Sequence, residues 1–303
     1  MIAAGIDLGG TKIEAQVFDS SWNKVASHRI ATPKAYEPLV DAMAGQIAWV
    51  EAQQTGLPIG IAAAGLVNPA TGLALTANLP AMNHPFPADI AARVGRAITY
   101  VNDCRSQALS EAVFGAARGY RTAMAINLGT GLAGGIVIDG KLLTGPSGLG
   151  GEFGHFAAAA HVVHTYGLPI VRCGCGRMGC TETLIAGPGL ARIVEHLTGR
   201  KMTPEDIVSG RVGHDGLSHA WHVWCILTAE MIHTLCLTVD PECIVLAGGL
   251  SRARGLIEDL STALRAAQLP GYGPPLLKLA EGGDTTGARG AAYAALVERR
   301  GHV

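Results

Sequence analysis

The chain has no surplus of either charge sign: 23 Lys and Arg stand against 24 Asp and Glu, a net charge of −1. Such a balance gives no electrostatic case for a nucleic acid or an anionic membrane as partner. Long unbroken apolar runs are also missing. Residues 123–138 are interrupted by glycines and by Asn127, so no membrane span is expected. The N-terminus has no basic segment ahead of an apolar one, so no export signal is expected, and the cytoplasm is the expected compartment. No Gly-x-x-x-x-Gly-Lys-Ser/Thr loop occurs, which excludes the P-loop mode of holding phosphates. No low-complexity linker interrupts the chain, so its halves are expected to meet along a cleft and not to swing on a tether.

What is present is an ample supply of core material, 49% hydrophobic residues against 16% charged in a chain of 303. That length exceeds the usual single domain, so two domains or one large doubled fold is expected. A degenerate repeat favours doubling. Residues 6–19 align without gaps to residues 126–139, with Ile6, Leu8, Gly9, Val17 and Asp19 recurring as Ile126, Leu128, Gly129, Val137 and Asp139. Each copy reads as a buried strand, a glycine turn and a second strand running back. Elsewhere helix and strand patterns alternate as in an α/β protein. Helices are expected over 38–55, 106–114, 187–196 and 221–239, and strands at 59–64, 98–101 and 242–246. The expected organisation is an N-terminal lobe, 1–118, completed by a closing helix at about 288–303, and a C-terminal lobe, 119–287, carrying a special segment at 152–182.

That segment holds Cys173, Cys175 and Cys180, three of the seven cysteines, within eight residues and among glycines. Three converging thiolates repel one another unless a cation holds them. Zinc with one further nitrogen ligand meets that need in a closed tetrahedron. Disulfides would leave one cysteine over, and Cys173 and Cys175 are too close in sequence to bridge without strain. His155 is the preferred fourth ligand, with His161 and His164 as rivals. The flanking carboxylates, Glu152 and Glu182, are not needed to complete such a site and are available to face a polar ligand. Cys104, Cys225, Cys236 and Cys243 sit in apolar or helical contexts and are expected as reduced core residues.

Residues 7–12 read Asp-Leu-Gly-Gly-Thr-Lys. Gly9 and Gly10 permit a turn whose backbone N–H groups approach an anion closely, while Thr11 and Lys12 add donors. Asp7, ending a strand, can hold a hydrated Mg²⁺ beside phosphates. Taken alone, the stretch is equally an ordinary hairpin with a polar turn. A second such turn at Gly129, Thr130 and Gly131 shifts the weighing, because two hairpins can grip one polyphosphate. Asn102 and Asp103 end a strand and open a helix. They are either a helix cap or a carboxylate kept ionised by helix N–H groups. In phosphoryl transfer, one positioned carboxylate that accepts a hydroxyl proton is the expected base. The strand running into Gly248 and Gly249 offers backbone for a flat base or ribose, or is simply a tight strand-to-helix turn.

Together these residues resemble the ROK family of sugar kinases, over essentially the whole chain. The resemblance implies an α/β, two-lobed actin/hexokinase-type ATPase fold, with ribonuclease H-like duplicated domains and a zinc-binding loop. It implies that residues 7–12 and 129–135 are the two phosphate loops, that Gly248 and Gly249 lie on the adenosine side, and that Asn102 binds sugar beside a catalytic Asp103. Glu152-Phe-Gly-His155 matches the family's Glu-x-Gly-His, whose Glu and His contact sugar hydroxyls while the His also binds zinc. Cys173, Cys175 and Cys180 match the zinc cysteines, Glu182 a further sugar contact, and Asn78 a segment lining the sugar pocket.

Within the family the chain is most similar to bacterial N-acetyl-D-glucosamine kinases, on its Gly-Glu-Phe-Gly-His string, the long segment 156–172 before the cysteines, and the Thr-Val-Asp-Pro at 238–241. The implied activity is ATP-dependent phosphorylation of N-acetyl-D-glucosamine at the 6-hydroxyl, with Mg²⁺ on the nucleotide, a structural Zn²⁺ and a homodimeric assembly. A glucokinase, a fructokinase or an N-acetylmannosamine kinase is the alternative. A sugar-sensing repressor of this family would carry an N-terminal helix-turn-helix, for which a hairpin beginning at Ile2 leaves no room. Two departures stand out. Ala133 replaces a glycine common in the second phosphate loop, and Cys104-Arg105 follows Asp103 where small or amide residues are commoner.

Overall fold

The computed structural model describes residues 1–283 and 286–301. Its first stretch runs β1 (Ala3–Leu8), β2 (Lys12–Phe18), β3 (Lys24–Ala31), α1 (Tyr36–Gln53), β4 (Ile59–Ala63), β5 (Leu66–Val67), β6 (Ala74–Leu75), α2 (Phe86–Val94), β7 (Thr99–Asn102) and α3 (Asp103–Phe114). It continues with β8 (Thr122–Leu128), β9 (Leu132–Ile138), β10 (Lys141–Leu142), α4 (Ala160–Thr165), α5 (Glu182–Ile185), α6 (Gly187–Thr198), α7 (Pro204–Gly210) and α8 (Asp215–Val239). The chain closes with β11 (Cys243–Ala247), α9 (Leu256–Ala267), β12 (Leu276–Leu279) and α10 (Thr286–Gly301).

Two sheets carry the repeat. The first has the order β3-β2-β1-β4-β7 and the second β10-β9-β8-β11-β12. In both, the first strand of the set pairs with the fourth in parallel, as Ile6 faces Ile61 and Ile126 faces Leu246. The same strand order built twice is what the aligned stretches 6–19 and 126–139 lead one to expect. This is the duplicated α/β architecture.

The chain divides into two compact units. The first comprises Met1–Arg118, Gly135–Gly150 and Glu281–Val303, and the second Gly119–Gly134 and Gly151–Ala280. Residues 135–150, 281–283 and 286–287 thus group with the first unit, whereas the sequence reading set them in the C-terminal lobe. The reason is packing at α3. A side chain at Gly135 would meet Arg105 and Ala108, and Glu111 holds the backbone of residues 281 and 282. Residues 284–285 and 302–303 of the expected ranges lie outside the described residues.

In the first unit β1 and β4 are buried on both faces. Leu39, Val40, Met43, Ile47 and Val50 of α1 join Ile6, Leu8, Ile13 and Ile61 in one apolar cluster. Ala288, Ala292 and Leu296 of α10 pack with Ala3 and Phe18 in another. The helix comes this close because β1 and β4 present Gly5 and Gly60 to it. A Cβ at either would overlap the backbone of Ala288 or Ala291.

In the second unit α8 is the central helix, burying Leu217, Trp221, Trp224, Leu227, Met231 and Leu235. Trp224 Nε1 donates to the Ile185 carbonyl at 2.7 Å. Among the described residues α8 is the one helix long and apolar enough to cross a membrane by length and composition, with half of that window buried in the protein. The sequence reading found no such run. Its apolar residues serve the interior of the second unit.

Candidate active site

The first unit contributes a carboxylate at a helix start. Asn102 caps α3, its Oδ1 accepting the Arg105 N–H at 3.2 Å, while its Nδ2 donates to the Gly65 carbonyl at 3.0 Å. Asp103 is the first residue of α3, and its Oδ1 accepts the Cys104 N–H at 2.8 Å. The cap and the candidate base are therefore separate residues, where the sequence alone left Asn102-Asp103 open between a cap and an ionised carboxylate. Burial raises the Tyr100 pKa and the Asp103 charge raises it further, so this phenol stays protonated beside the carboxylate. Arg105 is buried and donates to the Gly148 carbonyl at 2.5 Å.

The first glycine turn lies in the same unit. The Gly9 N–H donates to the Lys12 carbonyl at 3.0 Å, and the Gly9 and Gly10 carbonyls accept from Thr32 Oγ1 at 2.7 Å and Lys34 Nζ at 2.8 Å. With these carbonyls held, the turn is fixed in shape. A Cβ on Gly10 would come 3.2 Å from the Asn78 carbonyl, which places Asn78 against the turn. Asp7 lies beside the start of α10, where a Cβ on Gly287 would come 3.1 Å from its Oδ1. Thr11 is exposed and Lys12 half-buried.

The second unit holds the cysteine knot and the second turn. His155, Cys173, Cys175 and Cys180 bring one ligand atom each to within 4.8 Å of one another. Cys175 and Cys180 sulfurs are 3.6 Å apart, and Cys173 Sγ lies 3.7 Å from His155 Nδ1. Sulfurs on a tetrahedral zinc, each at about 2.3 Å from the ion, stand roughly 3.8 Å apart. Three thiols and one imidazole at these spacings fit zinc. Of the rival histidines, His161 is exposed and faces Glu230 at 3.5 Å, and neither it nor His164 joins the group. Burial pushes the Cys173 thiol up to about 12 and raises Cys180, while the Arg177 N–H lowers Cys175. Two of the three thiols thus keep their protons until a cation displaces them.

Glu152 precedes the short helical turn ending at His155, whose Nε2 is 3.9 Å from Glu152 Oε2. Glu182 Oε2 accepts the Leu132 N–H at 2.9 Å, and its Oε1 lies 3.5 Å from Cys173 Sγ. The carboxylate therefore bridges the cysteine knot and the turn at 129–132. In that turn the Gly129 N–H donates to the Gly131 carbonyl at 3.1 Å. Ala133 lies in β9 and is not among the described residues with positive φ, so its methyl group costs the loop nothing in backbone strain.

Gly129, Thr130, Gly248 and Gly249 line one cavity of about 700 Å³, together with Gly187 and Pro188 at the start of α6, Glu205 and Val208 of α7, and Arg252. Gly248 sits at φ +87°, and a Cβ there would overlap Asn127 Oδ1 and the backbone of Leu128. The sequence reading missed the α6 and α7 contributions. The available signals were Gly187-Pro188 and Pro204, helix-opening residues whose position beside the glycines only the fold reveals.

The pattern of the ROK family matches residues 3–299. The chain belongs to the ROK family. Among its relatives, an N-acetylgalactosamine kinase, AgaK, of Shewanella sp. strain ANA-3 is 38% identical over 95% of this chain and 94% of its own length. An N-acetyl-D-glucosamine kinase of Pectobacterium atrosepticum is 36% identical over 97% of this chain and 99% of its own. A ROK glucokinase of Streptomyces griseus, solved in complex with glucose and AMPPNP, superposes with a TM-score of 0.76 at 26% identity, covering 97% of this chain and 99% of that one. Membership in the ROK family and the doubled α/β architecture therefore agree.

Proposed function

We propose that this ROK-family sugar kinase transfers the γ-phosphoryl group of ATP to the 6-hydroxyl of N-acetyl-D-glucosamine, giving N-acetyl-D-glucosamine 6-phosphate and ADP. The observation that carries the reading is Asp103. One carboxylate oxygen is engaged by its own helix, which fixes the group and leaves the other oxygen for a substrate hydroxyl. Asp103 takes the 6-hydroxyl proton as that oxygen attacks phosphorus in line, and the proton leaves on the carboxylate. Asn78, Asn102, Glu152, His155 and Glu182 hold the sugar hydroxyls, and Asn102 also orients the helix start on which Asp103 depends.

Gly9, Gly10, Thr11 and Lys12 take the nucleotide's phosphates from one turn and Gly129, Thr130 and Gly131 from the other, with Gly248 and Gly249 against the nucleoside. The carboxylate of Asp7 suits a hydrated Mg²⁺, which when bound neutralises phosphate charge. His155, Cys173, Cys175 and Cys180 suit Zn²⁺, which when bound holds three thiolates together and takes no part in the transfer. The working compartment is the cytoplasm, with cysteines reduced, and the assembly is a homodimer that binds neither nucleic acid nor membrane.

A second reading has its own support, since a relative at 38% identity is an N-acetylgalactosamine kinase. The two sugars differ only at C4. Coupled ADP detection with N-acetylglucosamine, N-acetylgalactosamine, N-acetylmannosamine, glucose and fructose decides between them. Fastest turnover of N-acetylglucosamine, with phosphate on O6 by NMR, is the expected result. Preference for a sugar without the acetamido group overturns the aminosugar reading.

A further inference from the structure

We propose that the second unit carries a further ligand site, a cavity beside the first half of α8 that takes a sugar phosphate and thereby tightens nucleotide binding. The site itself is independent of the reading above. Its coupling rests on that reading, which assigns the cavity at Gly129 and Gly248 to the nucleotide. The further cavity measures about 660 Å³, the size of a small-molecule site and too large for a bare ion. Buried Arg211, Trp221 and Cys225 form its floor, and exposed His222, Arg254 and Asp259 stand on its rim.

The charges on these residues define the occupant. Arg211 is only 5% exposed. Its guanidinium lies over the Trp221 ring, 4.4 Å from the centroid, and donates through Nη1 to the Val208 carbonyl at 2.6 Å and through Nη2 to the Arg254 carbonyl. Among the described residues no carboxylate pairs with it. A buried cation held by carbonyls alone lacks a counter-charge, and its other N–H donors suit a phosphoryl group. Asp259, the acid of this cavity, is already engaged. Its Oδ2 accepts Trp221 Nε1 at 2.8 Å, and it lies in the first turn of α9, whose N–H groups favour its charge. Arg211 and Arg254 against one engaged carboxylate leave a positive surplus. The Ser218 hydroxyl, which donates to the Arg211 carbonyl at 2.6 Å, and Asp259 Oδ1 are acceptors for sugar hydroxyls.

The two cavities of the second unit share walls. Helix α7 lends Val208 to the cavity at Gly129 and Gly248 and is capped by Arg211 on this side. The turn Gly249–Arg252 borders the former, and Arg254 and Gly255, just beyond it, border the latter. Arg211 ties these walls together through the Val208 and Arg254 carbonyls. An anion on Arg211 supplies the missing counter-charge and secures that tie, so the nucleotide meets walls already fixed.

The test is calorimetric titration of the full chain with AMPPNP and N-acetylglucosamine saturating the reaction site. Glucose 6-phosphate, N-acetylglucosamine 6-phosphate and inorganic phosphate are the probes. A sugar phosphate is expected to bind once per chain, with inorganic phosphate about tenfold weaker for want of the hydroxyl contacts. Arg254→Glu abolishes that binding, and because the position is exposed, the melting curve and turnover without added anion stay unchanged. In a separate titration the sugar phosphate lowers the Kd for AMPPNP about fivefold. Competition at the reaction site would raise it instead. No binding of either sugar phosphate, binding undiminished in Arg254→Glu, or inorganic phosphate bound as tightly as both overturns the site. An AMPPNP Kd unchanged or raised overturns the coupling. A chain that turns over no sugar fails the kinase reading alone, since the same anion titration without nucleotide still reads the site.

Discussion

Replacing Glu111 by Gln tests how the first unit presents the start of α10 to Asp7. Glu111 is fully buried on α3. Its Oε2 accepts the N–H groups of Ala116 at 2.9 Å and Glu281 at 3.2 Å, and its Oε1 accepts that of Gly282 at 2.7 Å. Arg289 lies close enough to feel its charge, with the guanidinium over Phe114 and Nε donating to Ser110. Glutamine keeps the shape and one oxygen. Its amide nitrogen, however, meets an N–H where the carboxylate had an acceptor, and one buried N–H left unpaired costs about 1–3 kcal/mol. The surviving bonds lose their charge assistance, roughly half their strength. The sum is about 2–4 kcal/mol against the closed arrangement of residues 281–282. That corresponds to amide exchange roughly 30- to 900-fold faster at Ala116, Glu281 and Gly282. Hydrogen exchange read residue by residue is the assay, because a global melt of two units mixes their stabilities. Less than a threefold change at all three amides would refute the argument, since a buried acceptor would then have been removed without consequence.

Other outcomes follow from single residues. Asp103→Asn is expected to lower kcat by about 10²–10⁴ with sugar binding kept, and wild-type turnover would remove Asp103 from its role as base. Gly248→Ala forces a Cβ onto Asn127 and Leu128 at a positive φ. It should cost about 1–3 kcal/mol in thermal unfolding and weaken nucleotide binding by calorimetry, and unchanged values for both would show that the strain is not there. Metal analysis should find one zinc per chain, lost in Cys175→Ser. Zinc binds the thiolates, and Cys173 and Cys180 have raised pKa values, so uptake releases protons and affinity falls as pH falls. Competition titrations that gave tighter binding on acidification would contradict that donor set.

The cysteine knot was legible because its ligands are local. Gly176 and Gly179 turn the chain at positive φ between Cys173 and Cys180, and the spacing already requires convergence. His155 was the harder member, eighteen residues before Cys173, preferred from the sequence but with His161 and His164 left as rivals. The fold does so by placing Phe156 under Thr181, whose N–H donates to the Phe156 carbonyl at 2.8 Å. The doubling was legible from the aligned strands, since a buried strand keeps its pattern when the turn beside it drifts. What could not be read was the partition of residues 135–150. That segment is set by Gly135 packing on α3, a long-range contact with no periodic signature. The α6 and α7 lining of the cavity at Gly129 and Gly248 escaped for the same reason, and α8 was expected only over 221–239, short of its full extent from Asp215.

The placement of Glu182 bears on what the proposed metal site does. A cluster that only stiffened its own loop would affect the sugar contacts proposed for Glu152 and His155 and nothing further. Glu182, two residues after Cys180, instead spends one oxygen on the Leu132 N–H and sets the other beside Cys173. A Cβ on Gly131 would come within 3.3 Å of that same carboxylate, so turn and carboxylate are in contact. The Gly129 carbonyl in turn accepts the N–H of Gly187 at 2.8 Å, at the opening of α6. A continuous chain of hydrogen bonds and contacts thus runs from the thiols through Glu182 to the second glycine turn and on to the cavity at Gly248. With zinc bound, Cys173 would be a thiolate beside the Glu182 carboxylate, and the ion's charge would offset the repulsion between them, so removing the ion is expected to disturb Glu182. Nucleotide affinity should then weaken along with sugar affinity. If chelation raised the KM for the sugar while leaving that for ATP within twofold, the chain of contacts would carry no coupling, and the knot would serve the sugar side alone.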